Sequence, residues 1–118
     1  MYDVTPLFKP IQVKNKTFRN RIVMPPMVVN RGINTPEGYQ WYRQRASGGV
    51  ALVIVEATNV TDFGSELTVE NLKPLVESIH EGGALAAIQL FPGVRGQSIS
   101  PAQMTNQDLQ KLIDNYNE

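Results

Sequence analysis

The sequence predicts an α/β fold built on a parallel sheet, and three observations carry that reading. Val50 to Ala57 (VALVIVEA) and Ala84 to Leu90 (ALAAIQL) are short, continuously apolar stretches, as expected of strands buried on both faces rather than one. Segments with helix start and stop signals lie between and after them. Strands alternating with helices favour βαβ units, and those make parallel sheets.

The elements follow in order. Ile11 to Phe18 alternate apolar and polar residues around Asn15-Lys16, which predicts a short hairpin. Ile22-Val23-Met24 is an apolar run stopped by Pro25-Pro26. Pro26 keeps Pro25 out of the helical region, so the run reads as a strand ending in a rigid extended turn. Pro36 to Ser47 reads as a helix, capped by Asn34 or Thr35 and stopped by Gly48-Gly49, with Pro36 suited to the first turn. The strand at Val50 to Ala57 comes next. A second helix is expected from about Leu72 to His80, ending at Gly82-Gly83. Asn71 is its expected cap, because Pro74 fits a first turn but not the interior of a helix begun at Thr68. After the strand at Ala84 to Leu90, a last helix opens at Thr105, where Thr105-x-x-Asp108 has the form of a capping box with Asp in place of Glu. Leu109, Leu112, Ile113 and Tyr116 then fall on one helical face. The predicted order is hairpin, β, α, β, α, β, α.

Composition narrows the function classes. At 118 residues a single domain is the default. Eleven Lys and Arg balance eleven Asp and Glu, so no net field draws in nucleic acid or an acidic membrane surface. Low net charge with 42% hydrophobic residues is the reverse of the disordered signature. No apolar run approaches the ~20 residues that span a bilayer. Met1-Tyr2-Asp3-Val4 lacks the basic and apolar regions of a signal peptide. With no cysteine there are no disulfides, thiolate metal sites or Cys nucleophiles. A cytoplasmic protein is expected.

Ligands of parallel α/β folds bind where strands give way to βα loops. Three segments sit there: Pro25-Pro26-Met27-Val28, Glu56-Ala57-Thr58 and Gln89-Leu90-Phe91-Pro92-Gly93. Strand ends with so few charges suit a neutral, flat, partly apolar ligand. The Gln89 amide donates and accepts at once, matching the mixed edge of an amide-like heterocycle; its alternative role is to close a strand against neighbouring backbone. Backbone groups at Pro26 to Val28 and at Ala57 offer further uncharged contacts. Glu56 follows an apolar run and is expected to be partly buried. It reads as an anchor paired with an arginine such as Arg45, ahead of a general base. His80 suits a helix C-terminus, and Tyr39, Trp41 and Tyr42 read as packing against the sheet before a stacking platform. No phosphate loop, dinucleotide fingerprint, metal-ligand spacing or nucleophile elbow is present, and Gly93-x-x-Gly96 is too loose to carry an argument.

Taken together, the motifs resemble the N-terminal part of the Old Yellow Enzyme family, FMN-dependent NAD(P)H:flavin oxidoreductases and ene-reductases. The match runs through Leu7-Phe8-Lys9-Pro10-Ile11, Asn20-Arg21-Ile22-Val23-Met24-Pro25-Pro26-Met27, Tyr42-x-x-Arg45-Ala46-Ser47-Gly48-Gly49-Val50-Ala51-Leu52 on to Glu56-Ala57-Thr58, and Ile88-Gln89-Leu90 with Arg95. Ser100-Pro101-x-x-Met104-Thr105-x-x-Asp108-Leu109 resembles the family's approach to its third barrel helix.

The resemblance implies a TIM (β/α)8 barrel, of which residues 1–118 would form an incomplete βαβαβα portion behind the hairpin. It implies FMN across the C-terminal strand ends, with NAD(P)H as reductant and an activated alkene as the small-molecule substrate. Pro25, Pro26, Met27 and Val28 would line the flavin through backbone contacts, Ala57 would lie against its rings, and Gln89 would bond its pyrimidine edge. No catalytic residue and no metal ligand is assigned in this chain. Val28 stands where the family commonly has Thr or Cys, and Pro92 and Val94 replace a His and a Gly; the connections after Gly64 and after Arg95 are short. The family's substrate-holding His/Asn pair, its proton-donating Tyr and its phosphate loops would all fall beyond Glu118. The chain is therefore expected to be inactive alone, to bind FMN weakly or not at all, and to associate with itself or with the remainder of the barrel. The alternative is a βαβ interaction module that self-associates and binds no flavin.

Overall fold

The computed structural model describes residues 1–60, 67–92 and 100–117. A 3-10 turn at Thr5–Phe8 leads into strands β1 (Ile11–Val13) and β2 (Lys16–Phe18), an antiparallel hairpin in which Val13 faces Lys16. The main sheet has three parallel strands in the order β3 (Val23–Met24), β4 (Leu52–Asn59) and β5 (Leu85–Phe91). Helix α1 (Pro36–Ser47) connects the first pair and α2 (Val69–Glu81) the second. A 3-10 turn at Pro101–Gln103 precedes α3 (Asn106–Asn117). The order is the one the periodicities predict.

Local chemistry explains the boundaries. Thr35 caps α1 by accepting the Gly38 N–H at 3.0 Å, with Pro36 in the first turn. The α3 capping box forms: the Asp108 N–H donates to Thr105 Oγ1, and Asp108 Oδ2 accepts from the Thr105 N–H and hydroxyl. Those bonds hold the Asp108 carboxyl below the ordinary Asp range. At α2 the expectation of an Asn71 cap is wrong. Thr68 is extended, its hydroxyl accepts from Asn71 N at 3.1 Å, and its carbonyl accepts from Leu72 N at 3.0 Å. Pro74 thus sits inside the helix. The carbonyl it leaves without a donor belongs to Glu70, and both residues are exposed, so water reaches that group.

β4 begins and ends two residues later than expected. Gly49 at φ +110 turns the chain, and the carbonyl of Val50 is occupied by Arg19, so the ladder bonds start at Ala51, whose N–H donates to Ile22 and whose carbonyl accepts from Leu85. Register runs Leu52 to Leu85, Val53 to Ala86, Ile54 to Ala87 and Val55 to Ile88, then resumes with Thr58 opposite Leu90.

One face of this sheet carries the core. Val53 and Val55 meet Tyr42 and Ala46 of α1 and Leu75 and Ile79 of α2, with Ile33, Met24, Ala86 and Ile88 around them. Burying each large aliphatic side chain here stabilises by about 1.5–3 kcal/mol. The other face is open: Val23 is 42% exposed, and Ala87 and Gln89 are exposed. Helix α3 has no buried residue, and its Ile113 and Tyr116 face water. The radius of gyration, 16.9 Å, exceeds the ~13.5 Å of a compact domain this long, as an unclosed sheet requires.

At the N-terminal ends of the strands, Arg19 joins the two helices. Its guanidinium donates to the Ala46 carbonyl at 2.6 Å, the Val50 carbonyl at 2.8 Å and the Gly82 carbonyl at 3.4 Å. Asn20 beside it donates to the Gly49 carbonyl and accepts from Ile22 N. One cation thus holds carbonyls at two helix C-termini. The helices cross closely there: a Cβ on Gly82 would lie 2.4 Å from the Ala46 Cβ and 2.9 Å from the Arg43 carbonyl. Gly82→Ala should therefore lower stability by about 1–3 kcal/mol through overpacking, measured as a lower urea midpoint at unchanged slope. A wild-type midpoint would contradict the close crossing.

Candidate functional site

The sheet register decides which residues meet at the C-terminal strand ends. Between the Val55–Ile88 and Thr58–Leu90 pairs, β4 has two residues, Glu56 and Ala57, where β5 has one, Gln89. This is a β-bulge, a device that re-aims side chains at the ends of sheets. It sets Ala57 level with Gln89. On the other side, β3 stops at Met24, paired with Val53, so the Pro25–Val28 segment runs on beside the same end of β4.

A bulge leaves peptide groups without ladder partners, and here side chains supply them. The Glu56 N–H donates to the Tyr42 hydroxyl at 3.1 Å, and the Glu56 carbonyl accepts from the Thr58 hydroxyl at 2.9 Å. The Glu56 carboxylate reaches the neighbouring loop, where its Oε2 accepts the Val29 N–H at 2.7 Å and the Tyr42 hydroxyl at 3.3 Å. Farther along, that loop lies directly on α1. A Cβ on Gly38 would stand 1.8 Å from the Gly32 carbonyl oxygen, so only glycine allows the contact.

Two expectations change. Glu56 is half-buried as expected, but its partners are a backbone N–H and a phenol, not Arg45. Arg45 instead lies 3.8 Å over the Trp41 ring and donates to the Trp41 carbonyl, since a guanidinium finds both a π-face and a helix carbonyl within one turn. The three aromatic residues pack as expected. Tyr42 is fully buried, Tyr39 and Trp41 cover the core, and Trp41 meets Tyr42 edge-on at 5.0 Å. His80 sits in the last turn of α2, as its position suggests.

Of the residues expected to face a ligand, Pro25, Met27, Val28 and Gln89 are exposed, while Pro26 and Ala57 are half-buried. Among the described residues no hydrogen bond satisfies the Gln89 amide, so its alternative role of closing the strand against backbone has no bond behind it. Gly64, Gly93, Val94, Arg95 and Gly96 lie outside the described residues. Among the described residues no group of three His, Cys, Asp or Glu is placed to hold a metal, and no helix is long and apolar enough to cross a membrane. Sequence reasoning missed the hydrogen-bonding roles of the Tyr42 hydroxyl, Thr58, Arg19 and Asn20. Arg19, 31 residues from Val50 and 63 from Gly82, gives no local signal.

Parallel strands alternating with helices, in a sheet that does not close, define a portion of a β/α barrel. Residues 6–110 match the NADH:flavin oxidoreductase / NADH oxidase family, and the chain belongs to it. An NADPH dehydrogenase of Listeria welshimeri is 40% identical over 116 aligned positions, covering 81% of this chain and 34% of the relative. A variant of NCR from Zymomonas mobilis superposes with a TM-score of 0.73 at 27% identity, covering 93% of this chain and 38% of that one. The old yellow enzyme homologue of the same organism shares the fold, with a TM-score of 0.72 at 22% identity over 93% of this chain and 42% of its own. The resemblance read from the sequence blocks is borne out, and the three-stranded sheet is a portion of the family's TIM barrel. The chain spans about a third of the length of the curated relatives it matches.

Tyr42 links this site to pH. Burial pushes its hydroxyl up to about 12; the N–H of Glu56 opposes the shift and the Glu56 carboxylate adds to it. A folded value above the ordinary 10 means that the contribution is complete below pH 10 and is lost as pH rises from 10 through 12. Urea unfolding should therefore show wild type losing more stability than Tyr42→Phe across that window. Tyr42→Phe should already be weaker at pH 8, having removed the acceptor for Glu56 N–H. Parallel pH curves for the two proteins would contradict the assignment.

Proposed function

We propose that residues 1–118 are a partial barrel domain forming one wall of the flavin site of an FMN-dependent oxidoreductase. The observation that carries this is the bulge, which brings Ala57 level with Gln89 and beside the Pro25–Val28 segment. The donor set fits an isoalloxazine. A small methyl at Ala57 leaves room for a flat ring, and the Gln89 amide offers a donor and an acceptor to its pyrimidine edge. Pro25, Pro26, Met27 and Val28 present backbone along the same end, and Val28 adds no side-chain hydrogen bond. Bound FMN supplies hydride chemistry between NAD(P)H and an activated alkene; the role of these residues is to bind and orient it. The same reading places the protein in the cytoplasm, where the NAD(P)H pool supplies the reductant.

Self-association is a second part of the reading, and specific surfaces favour it. The β5 edge carries Leu90 at 41% exposure, and Ile113 and Tyr116 of α3 are 53% and 43% exposed. Unpaired edges and exposed apolar faces of this kind favour pairing with another chain.

Gel filtration of the chain mixed with FMN tests both parts. The protein should elute above its 13.1 kDa monomer mass carrying substoichiometric flavin, and Gln89→Ala should reduce that flavin by about 2- to 10-fold, the worth of one hydrogen bond. A monomer co-eluting with stoichiometric flavin overturns the half-site reading, and flavin retention unchanged by Gln89→Ala removes Gln89 from the site.

A further inference from the structure

We propose that Glu56 is the positioning residue of the flavin wall, tying the turn after β3 to the bulge in β4 so that the Pro25–Val28 segment and Ala57 keep one spacing. The flavin part rests on the function proposed above; the tie itself rests on geometry alone.

Three observations carry it. Glu56 is a half-buried carboxylate that takes part in none of the ion pairs among the described residues, which join Arg31 to Glu37, Arg43 to Glu81 and Lys73 to Glu77. A partly desolvated charge held only by neutral donors is costly unless those bonds are strong, and bonds to an ionised acceptor are about twice as strong as neutral ones. Next, both of its side-chain bonds converge on one oxygen, Oε2, which joins Val29 of the loop to Tyr42 of α1. Finally, the backbone of the same residue is the bulge. Its N–H is held by Tyr42 and its carbonyl by Thr58. One residue therefore fixes the loop through its side chain and Ala57 through its main chain. Tyr42, the hub of these bonds, is fully buried and cannot shift without disturbing the core.

The convergence on one oxygen gives the proposal its signature. Glutamine places an acceptor oxygen at the same reach, whereas aspartate keeps the charge but is one methylene short. Reach, not charge, should decide. Amide hydrogen exchange on the isolated chain reads this directly. Glu56→Ala and Glu56→Asp should speed exchange at the Val29 amide by about 10- to 100-fold, and Glu56→Gln by about 3- to 10-fold and less than either, the loss and the weakening of one charge-assisted bond. The Leu75 and Ile79 amides of α2 should stay within about 2-fold, since local opening is separable from global unfolding. FMN affinity, followed by flavin fluorescence, should fall about 10-fold for Glu56→Asp and less for Glu56→Gln.

Exchange that rises equally at Val29, Leu75 and Ile79 makes Glu56 a general stabiliser and overturns the proposal, as does a Val29 amide still protected in Glu56→Asp. Should Glu56→Ala fail to fold, the Asp and Gln variants carry the comparison. A wild-type chain that shows no FMN response contradicts the function proposed above, while the exchange pattern still decides whether Glu56 holds the loop.

Discussion

An extra residue in β4 is the constraint on which the rest of this structure depends. Inserting Glu56-Ala57 opposite a single Gln89 leaves a peptide that the sheet cannot satisfy, and a buried unsatisfied peptide costs about as much as a lost hydrogen bond. The fold meets that cost with two side chains, Tyr42 from α1 and Thr58 from β4 itself. The need for an acceptor explains why the core of α1 holds a tyrosine rather than a phenylalanine at position 42. The need for a donor explains Thr58. The carboxylate left over from the arrangement reaches Val29 and fixes the loop that follows β3. Packing, backbone satisfaction and site geometry are thus one problem solved by a few side chains.

The two ends of the sheet divide the work. At the N-terminal ends, Arg19 and Asn20 collect carbonyls from α1, α2 and the connection into β4, a network that serves stability. At the C-terminal ends the bonds stop short: Glu56 is satisfied, while the Gln89 amide beside it is exposed. This is the division expected of β/α barrels, where the bottom face holds the fold and the top face carries function. The open sheet face and the apolar side of α3 are surfaces that barrel relatives have more chain to cover.

What was legible in the sequence was what neighbours in the chain decide. The α1 cap lies three residues from its donor, as does the Thr105–Asp108 box, and the hairpin pairs residues close in sequence. The β-branched run in β4 reported burial because each residue carries that signal by itself. The bulge was invisible, since Ala57 in an apolar run looks like any strand residue and only the register with β5 reveals it. Charge suggests Arg45 as the partner of Glu56, but its partners, 14 and 27 residues away, include a main-chain group that no sequence pattern marks. Pro74 argues against a helix that starts after Thr68, and the exposure of that turn is what allows one. Topology alone puts Pro25–Val28, Ala57 and Gln89 toward the C-terminal strand ends, but their common level depends on the bulge.

If residues 1–118 form one wall of a flavin site, the bulged end of the sheet is the face that meets the flavin. Backbone and side-chain amide shifts of the 15N-labelled chain, followed as FMN is added, test it most directly. Shifts are expected at Met27, Val28, Ala57 and the side-chain amide of Gln89, with Arg19, Gly49 and Gly82 at the opposite end unmoved. Shifts centred instead on the apolar groove between α2 and β5, at Leu72, Val76 and Leu85, or confined to the Arg19 end, would contradict it.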